Sequence, residues 1–253
     1  MKIELTNKVV LVTGASRGIG EAIALAMAQS GATVAAHANH NFSKVQDLVV
    51  KCRNNSKAFQ SDLSRTEEVQ RLFDEVITAF GRIDVLVNNA GVAIESDMQG
   101  GDHQWLSDWE KTLHVNLTAV GLLCKKSIGH FIEHGIPGII INISSRAAFR
   151  GDTADYVAYA ASKGGVTALT KSLARAYGKN NITAFGIAPG FTRTDMAQDF
   201  IDAYGEQYVI DDIALNELTE PEDIAKSAVF LASGMARHAT GTTIDINAAS
   251  YVR

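Results

Sequence analysis

The sequence predicts an α/β protein of the doubly wound class, one parallel sheet of seven strands with helices on both faces. Two observations carry the prediction. Seven short apolar runs alternate with longer amphipathic stretches along the 253 residues, as strands buried on both faces and joined by crossover helices do. A glycine-rich turn follows the first of those runs, where a strand hands over to a helix. The chain holds only three prolines and no proline-rich linker, repeat or low-complexity tract. Residues 1–253 therefore read as a single domain.

In order, Val9-Val10-Leu11-Val12 is the first strand, and Glu21 to Gln29 is helical by spacing. Thr33 to Ala36 and Ser43 to Lys51 form the second cycle, Lys57 to Gln60 and Val69 to Phe80 the third. Asp84 to Val87 is the fourth strand, followed by one long helical region from Gln104 to Glu133 and the strongly apolar Gly138 to Ile143. Tyr156 to Tyr177 reads as a second long helix and Ile182 to Ile187 as the sixth strand. Pro221 to Ala232 has proline where a helix starts, and Thr243 to Ile246 is the last strand. The stretch Gly190 to Glu217 breaks the cycle. It mixes acids with Phe200, Tyr204 and Tyr208, and a connection of that length reads as a substrate lid over residues 190–217.

Composition narrows the function classes. Apolar residues make up 46% and charged residues 20%, ordinary for a globular enzyme. A net charge of −5 and a pI near 5.8 leave no electrostatic footprint for nucleic acid. No apolar run approaches a membrane span and the N-terminus lacks a signal-peptide pattern. Cys52 and Cys124 lie far apart without metal-type spacing, so they read as buried or free thiols in a reducing cytoplasm. No metal site is expected: the seven histidines are scattered, His37 and His40 lie three residues apart, and surface positions are expected for them.

The chemistry sits in two motifs. Tyr159 and Lys163 are four residues apart and so share a helix face. An ammonium beside the phenol is expected to lower its pKa from near 10 toward the range of neutral proton exchange. The turn Thr13-Gly14-Ala15-Ser16-Arg17-Gly18-Ile19-Gly20 suits a pyrophosphate. Its glycines allow a tight turn and close backbone approach, and the helix that follows offers unpaired amides. The cofactor-binding residues expected here are Gly14, Ser16, Arg17, Gly18, Ile19 and Gly20, within a Rossmann-type domain. No carboxylate appears in His37-Ala38-Asn39-His40-Asn41, where a ribose-binding acid would stand. Arg17 supplies a cation for a 2′-phosphate, so NADP(H) is favoured over NAD(H).

Set together, these residues resemble the classical short-chain dehydrogenase/reductase family. The matches are Thr13 to Gly20, Asp62-Leu63, Asn88-Asn89-Ala90-Gly91, Asn116, Ser144-Ser145, Tyr159 to Lys163 and Pro189-Gly190, and they run almost the whole chain. The resemblance implies Tyr159 as general acid/base, Lys163 as its partner and a contact to the nicotinamide ribose, Ser145 as a second partner of the substrate oxygen, and Asn116 as holder of a relay water. It also implies that Asp62 and Leu63 meet the adenine and that Asn89, with Ala90 and Gly91, lines the adenine ribose. Asn39 is implied beside the 2′-phosphate, and Thr192 and Thr194, after Pro189 and Gly190, at the carboxamide and pyrophosphate. Asp62 has a competing role as a helix N-cap.

Two departures stand out. Ser145 and Tyr159 are fourteen residues apart, one more than in many relatives, and Ala248-Ala249 replace a frequent Gly-Gly. The C-terminal stretch Gly241 to Val252 is similar to that of the 3-oxoacyl-carrier-protein reductases. Their basic docking surfaces for the acidic carrier are thin in arginine here, at Glu133 to Pro137 and Lys179 to Asn181. The expected activity is reduction of a carbonyl to an alcohol or the reverse, with a 3-oxoacyl-carrier-protein substrate first and a sugar, polyol or small ketone as the alternative. A catalytically silent NAD(P)-sensing protein is the alternative of another class. The family also implies a homotetramer through its long helices, and Ala158, Ala161, Gly165 and Ala168 would permit close helix approach.

Overall fold

The structure, a computed structural model, describes residues 3–195, 197–198, 201 and 205–253, with Glu206 and Tyr208 through their backbone alone. Strands β1 (Val9–Val12), β2 (Thr33–Ala38), β3 (Lys57–Gln60), β4 (Val85–Asn88), β5 (Ile139–Ile143), β6 (Thr183–Pro189) and β7 (Thr243–Ile246) form one sheet in the order β3-β2-β1-β4-β5-β6-β7. Every pairing is parallel. The chain builds outward from β1 on one side, returns, and builds outward from β4 on the other. The carboxyl ends of β1 and β4 are thus the topological switch point, where such sheets bind ligands.

Successive strand residues point to opposite faces, and both faces are apolar. Val10, Val12, Val34, Ala36, Val87 and Ile141 pack with α1 (Gly18–Gln29) and α2 (Phe42–Cys52) on one side. Leu11, Ala35, Leu86 and Ile140 pack on the other with α3 (Thr66–Phe80), α5 (Ala119–Glu133) and α7 (Val157–Tyr177). This two-sided burial explains why the strands read as continuous apolar runs. The helix Pro221–Ala232 (α9) joins the first layer and starts where expected, with Pro221 in its first turn and a reciprocal capping box between Glu220 and Asp223.

Three features differ from the sequence reading. The long helical region is α4 (Asp102–Leu113), a π-turn over His114–Thr118, then α5; spacing alone does not reveal an inserted residue in a helix. Two short helices were not foreseen, α6 (Ala147–Arg150) and α8 (Glu206–Ile210). His37 and His130 are buried rather than on the surface. Val209 and Ile213, within 190–217, form a small apolar cluster with Leu218 just beyond it, joined by Phe191, Ile201 and Ala248. The aromatic residues Phe200 and Tyr204 and the side chain of Tyr208 lie outside the described residues.

Candidate active site

The glycine-rich turn leaves β1 at the switch point and enters α1. Gly14 and Gly18 have φ of 67° and 55°, a region that L side chains rarely adopt. A Cβ on Gly14 would lie 2.8 Å from the Ala90 Cα, and one on Gly20 would collide with the Gly14 carbonyl and the Asn89 amide. Asn89 explains the tightness: its Nδ2 donates to the carbonyls of Thr13 and Gly14 at 2.9 and 3.0 Å. The Thr13 hydroxyl accepts from the amides of Asn89 and Ala90, each at 3.0 Å. The β4 end therefore braces the turn through the Asn89 Nδ2 group.

The remaining expected cofactor contacts lie around this cleft. Thr194 approaches Gly18, its Cγ2 3.0 Å from where a Cβ would stand, and the Thr192 and Thr194 hydroxyls donate to the carbonyls of Gly190 and Thr192. Arg17 donates to Asp195 at 3.0 Å in an exposed pair, worth little by itself. Asp62 accepts from the Ser64 amide at 2.9 Å in an Asx turn, while the N-cap of α3 is Arg65. Burial raises the Asp62 pKa, but the Ser64 hydrogen bonds, His40 and Arg65 together hold it below the ordinary carboxylate value. Asn39 follows β2, its carbonyl accepting from Gln60 at 2.8 Å. The Ser61 hydroxyl at the β3 end is buried with no protein partner, as is Ser250 Oγ near Gly190. The glycine cradle, the α1 amino end and these free hydroxyls fit a dinucleotide laid across the switch point.

Tyr159, Ser145, Lys163 and Asn116 converge at the β4 and β5 ends. Lys163 Nζ lies 5.7 Å from the Tyr159 ring centroid and donates to the Ile143 carbonyl at 2.9 Å. A Cβ on Gly91 would stand 3.3 Å from Asn116 Oδ1 and 3.4 Å from Lys163 Nζ, so Gly91 packs closely against both side chains. Asn116 sits in the π-turn. Its Oδ1 accepts from the Val92 amide, and its Nδ2 donates to the Val92 carbonyl, both at 2.8 Å, and to Ser162 Oγ at 3.1 Å. Both amide atoms thus already have protein partners, although Oδ1 keeps a second acceptor site. Ser144 faces α7, its hydroxyl bonded to the Lys163 carbonyl and Thr167, whereas Ser145 bonds the Tyr159 phenol.

The electrostatics correct one expectation. Burial pushes the Tyr159 pKa up, and the Ser145 hydrogen bond opposes that without overcoming it, while the Asp152 charge adds to the rise. Burial also lowers Lys163 to about 8. Sharing a helix face with Lys163 therefore does not make Tyr159 a ready phenolate, because desolvation of the phenol outweighs the Ser145 hydrogen bond that opposes it. The phenol carries its proton at neutral pH.

On the open side of Ser145, Arg146 is buried with its guanidinium 4.5 Å from the Phe191 ring centroid. Asp212 accepts from Arg146 at 3.1 Å and from Arg150 at 3.2 Å. Among the described residues no group of three or more metal-ligating side chains gathers, and no helix is long and apolar enough to cross a membrane.

The adh_short_C2 family model, described as Enoyl-(Acyl carrier protein) reductase, matches residues 14–248. The chain belongs to the short-chain dehydrogenase/reductase family. It is an oxidoreductase acting on CH–OH or C=O groups with NAD(P). Among relatives of this family, it is 36% identical over 249 residues to 3-oxoacyl-(acyl-carrier-protein) reductase FabG of Staphylococcus aureus, covering 97% of this chain and 99% of that one. It is 35% identical to 3beta-hydroxysteroid dehydrogenase 1 of Eggerthella lenta, covering 96% of this chain and 94% of that one. A candidate 2-deoxy-d-gluconate 3-dehydrogenase from Agrobacterium tumefaciens with bound NADP superposes with a TM-score of 0.89 at 30% identity, covering 100% and 99% of the two chains. The 3-ketoacyl-(acyl-carrier-protein) reductase from Brucella melitensis complexed with NADH gives 0.89 at 28% identity, over 98% and 100%.

Within this short-chain dehydrogenase fold, sequence reasoning missed His37 and Arg146. His37 carried a weak signal, a histidine at the end of an otherwise apolar strand run. Arg146 carried none, because its partners Phe191 and Asp212 lie 45 and 66 residues away.

Proposed function

We propose that the protein is an NADP(H)-dependent carbonyl reductase in which Tyr159 gives the proton to the substrate oxygen. The observation that carries this reading is the Tyr159 phenol held against Ser145 with Lys163 Nζ 5.7 Å from its ring centroid. Carbonyl reduction builds negative charge on oxygen; a phenol proton and a serine hydroxyl aimed at that oxygen stabilise it. Lys163 keeps a cation under the phenol as its proton leaves, and Asn116 fixes the Val92 backbone and, through Ser162, the turn of α7 that bears Tyr159. NADPH, when bound, supplies the hydride. Gly14 to Gly20, Asn39, Asp62, Leu63, Asn89 to Gly91, Pro189, Gly190, Thr192 and Thr194 would hold it, together with Tyr159 and Lys163. The absence of a carboxylate at the β2 end and the NADP bound in the Agrobacterium relative support NADP(H).

A 3-oxoacyl-carrier-protein substrate leads, supported by the Staphylococcus relative; a sugar or sugar-acid substrate is the second reading, supported by the Agrobacterium one. Residues 190–217 act as the substrate lid, with the separate Val209–Ile213–Leu218 cluster in support. A homotetramer is supported by Ala161 and Ala168 on the exposed face of α7, and a reducing cytoplasm by the unpaired thiols of Cys52 and Cys124. The test follows NADPH oxidation with a 3-oxoacyl thioester, keto sugars and small ketones. Turnover that falls by about 10³-fold in Tyr159→Phe is the expected result. Tight NADPH binding without turnover on any of them would instead make the protein a nucleotide sensor.

A further inference from the structure

His37 is a buried histidine that the proton chemistry does not use. It ends β2 beside the glycine-rich turn, 1% exposed. Its Nδ1 lies 3.3 Å from the Gly14 amide nitrogen and its Nε2 3.0 Å from the Ser61 carbonyl oxygen. A backbone amide can only donate, so Nδ1 must be the bare nitrogen and the proton sits on Nε2, where a carbonyl accepts it. One neutral imidazole thus satisfies both partners. The main chain repeats the tie: the Ala15 amide donates to the His37 carbonyl at 2.8 Å, and the Ser61 amide to the Ala38 carbonyl at 3.2 Å.

The two partners belong to adjoining parts of the dinucleotide cleft, its phosphate turn and its adenine end. Gly14 opens the turn that would face the pyrophosphate, and Ser61 precedes Asp62 and Leu63 at the adenine end. We propose that His37 is a positioning residue for the cofactor, a neutral strut that holds the phosphate turn at a set distance from the adenine end of the cleft. The inference rests on the dinucleotide reading of that cleft. A cofactor that touches both the phosphate turn and the adenine end binds best when their separation is already set, because affinity is lost in ordering a loose site.

The surroundings favour the neutral ring. The turn after β1 faces it with backbone amides, the cross-strand neighbour on β3 is Phe59, and the charged side chain whose field reaches it is Asp62. Burial wins over the Ser61 hydrogen bond and the Asp62 charge, and lowers the His37 pKa to about 4. A second ring proton would set an N–H of Nδ1 against the N–H of Gly14, so the strut fails in acid.

The test measures NADPH affinity by cofactor fluorescence, with folding checked by circular dichroism at the same temperature. His37→Ala is expected to weaken NADPH binding by about tenfold or more. His37→Asn, whose Oδ1 can stand in for Nδ1, is expected to recover most of that loss. Below pH 5 the wild-type affinity should fall more steeply than that of His37→Asn, the titration of the cofactor's own phosphate being common to both. A merely structural histidine would lower the melting temperature of His37→Ala and leave the affinity of the folded protein within twofold of wild type, which overturns the proposal. If His37→Ala does not fold, His37→Gln, which reaches Ser61 but not Gly14, must show at least a fivefold weakening or the proposal fails. Wild-type protein that binds neither NADPH nor NADH would sink the dinucleotide reading and this inference together; normal binding by the variants sinks the inference alone.

Discussion

Lys163 shows how a functional side chain opposes the stability of its own fold. Burial lowers its pKa from 10.5 to about 8, a difference that corresponds to about 3 kcal/mol against the charged form at neutral pH. Below pH 8 both the folded and unfolded states hold the proton, and the folded state bears the whole cost. As pH rises from 8 to 10.5, the folded state releases the proton first and the cost fades. Lys163→Met removes it but leaves the Ile143 carbonyl without its donor, a loss of about 1–2 kcal/mol. The variant is expected to be more stable by about 1–2 kcal/mol at pH 7 and to show no advantage above pH 10, in urea melts across pH, while losing turnover. Ala248 and Ala249 are strained differently, with φ of 50° and 58°, in the region that costs an L side chain about 1 kcal/mol. Ala248→Gly should therefore raise stability by roughly 0.5 kcal/mol once the greater freedom of unfolded glycine is subtracted. A melt showing destabilisation would contradict this.

Among the elements, α7 is held to the sheet by a buried polar ladder as well as by apolar packing. Asn88 on β4 donates to Asn142 on β5 at 2.8 Å, and Asn142 donates to Thr170 on α7 at 2.9 Å. One turn earlier, Ser144 bonds Thr167 at 2.9 Å. Hydrogen bonds of this kind have direction, so they set the register of α7 along β5, and with it the placement of Tyr159 and Lys163 over the strand ends. Asn142→Ala leaves Asn88 and Thr170 short of partners in a dry site and is expected to cost about 2–4 kcal/mol, read from the urea midpoint. The helix and its catalytic face were legible at four-residue spacing. The ladder was not, because Asn142 and Thr170 are 28 residues apart and each reads alone as a break in an apolar pattern. The π-turn at Asn116 was hidden for a related reason: an i to i+5 turn leaves the apolar spacing on either side nearly unchanged.

For the whole molecule, the two sheet faces form separate apolar layers, and the cleft lies where the chain reverses between β1 and β4. A ligand that joins the turn after β1, the ends of β3 and β4, and Thr192 to Thr194 ties both halves of the sheet together. NADPH at a hundredfold excess over its Kd should stabilise the fold by about 2.7 kcal/mol, a rise in Tm of roughly 5–10 °C for a chain of this size. A smaller rise with NADH at the same concentration is the expected signature of 2′-phosphate recognition, and equal rises would remove the preference for NADP(H).

The family resemblance supplied Asn116 and Ser145, whereas the sequence by itself determined the seven-strand cycle, the site of the dinucleotide turn and the pairing of Tyr159 with Lys163. These rest on short-range causes: apolar period, the φ demanded of glycine, and side chains four residues apart. Tertiary structure alone decided that burial raises the Tyr159 pKa and that His37 joins the phosphate turn to the end of β3. It also decided that Asn89 braces the turn and that Arg146 meets Asp212. Each of these depends on how much water is excluded and on partners brought in from distant strands, and neither quantity is set until the sheet has closed around the site.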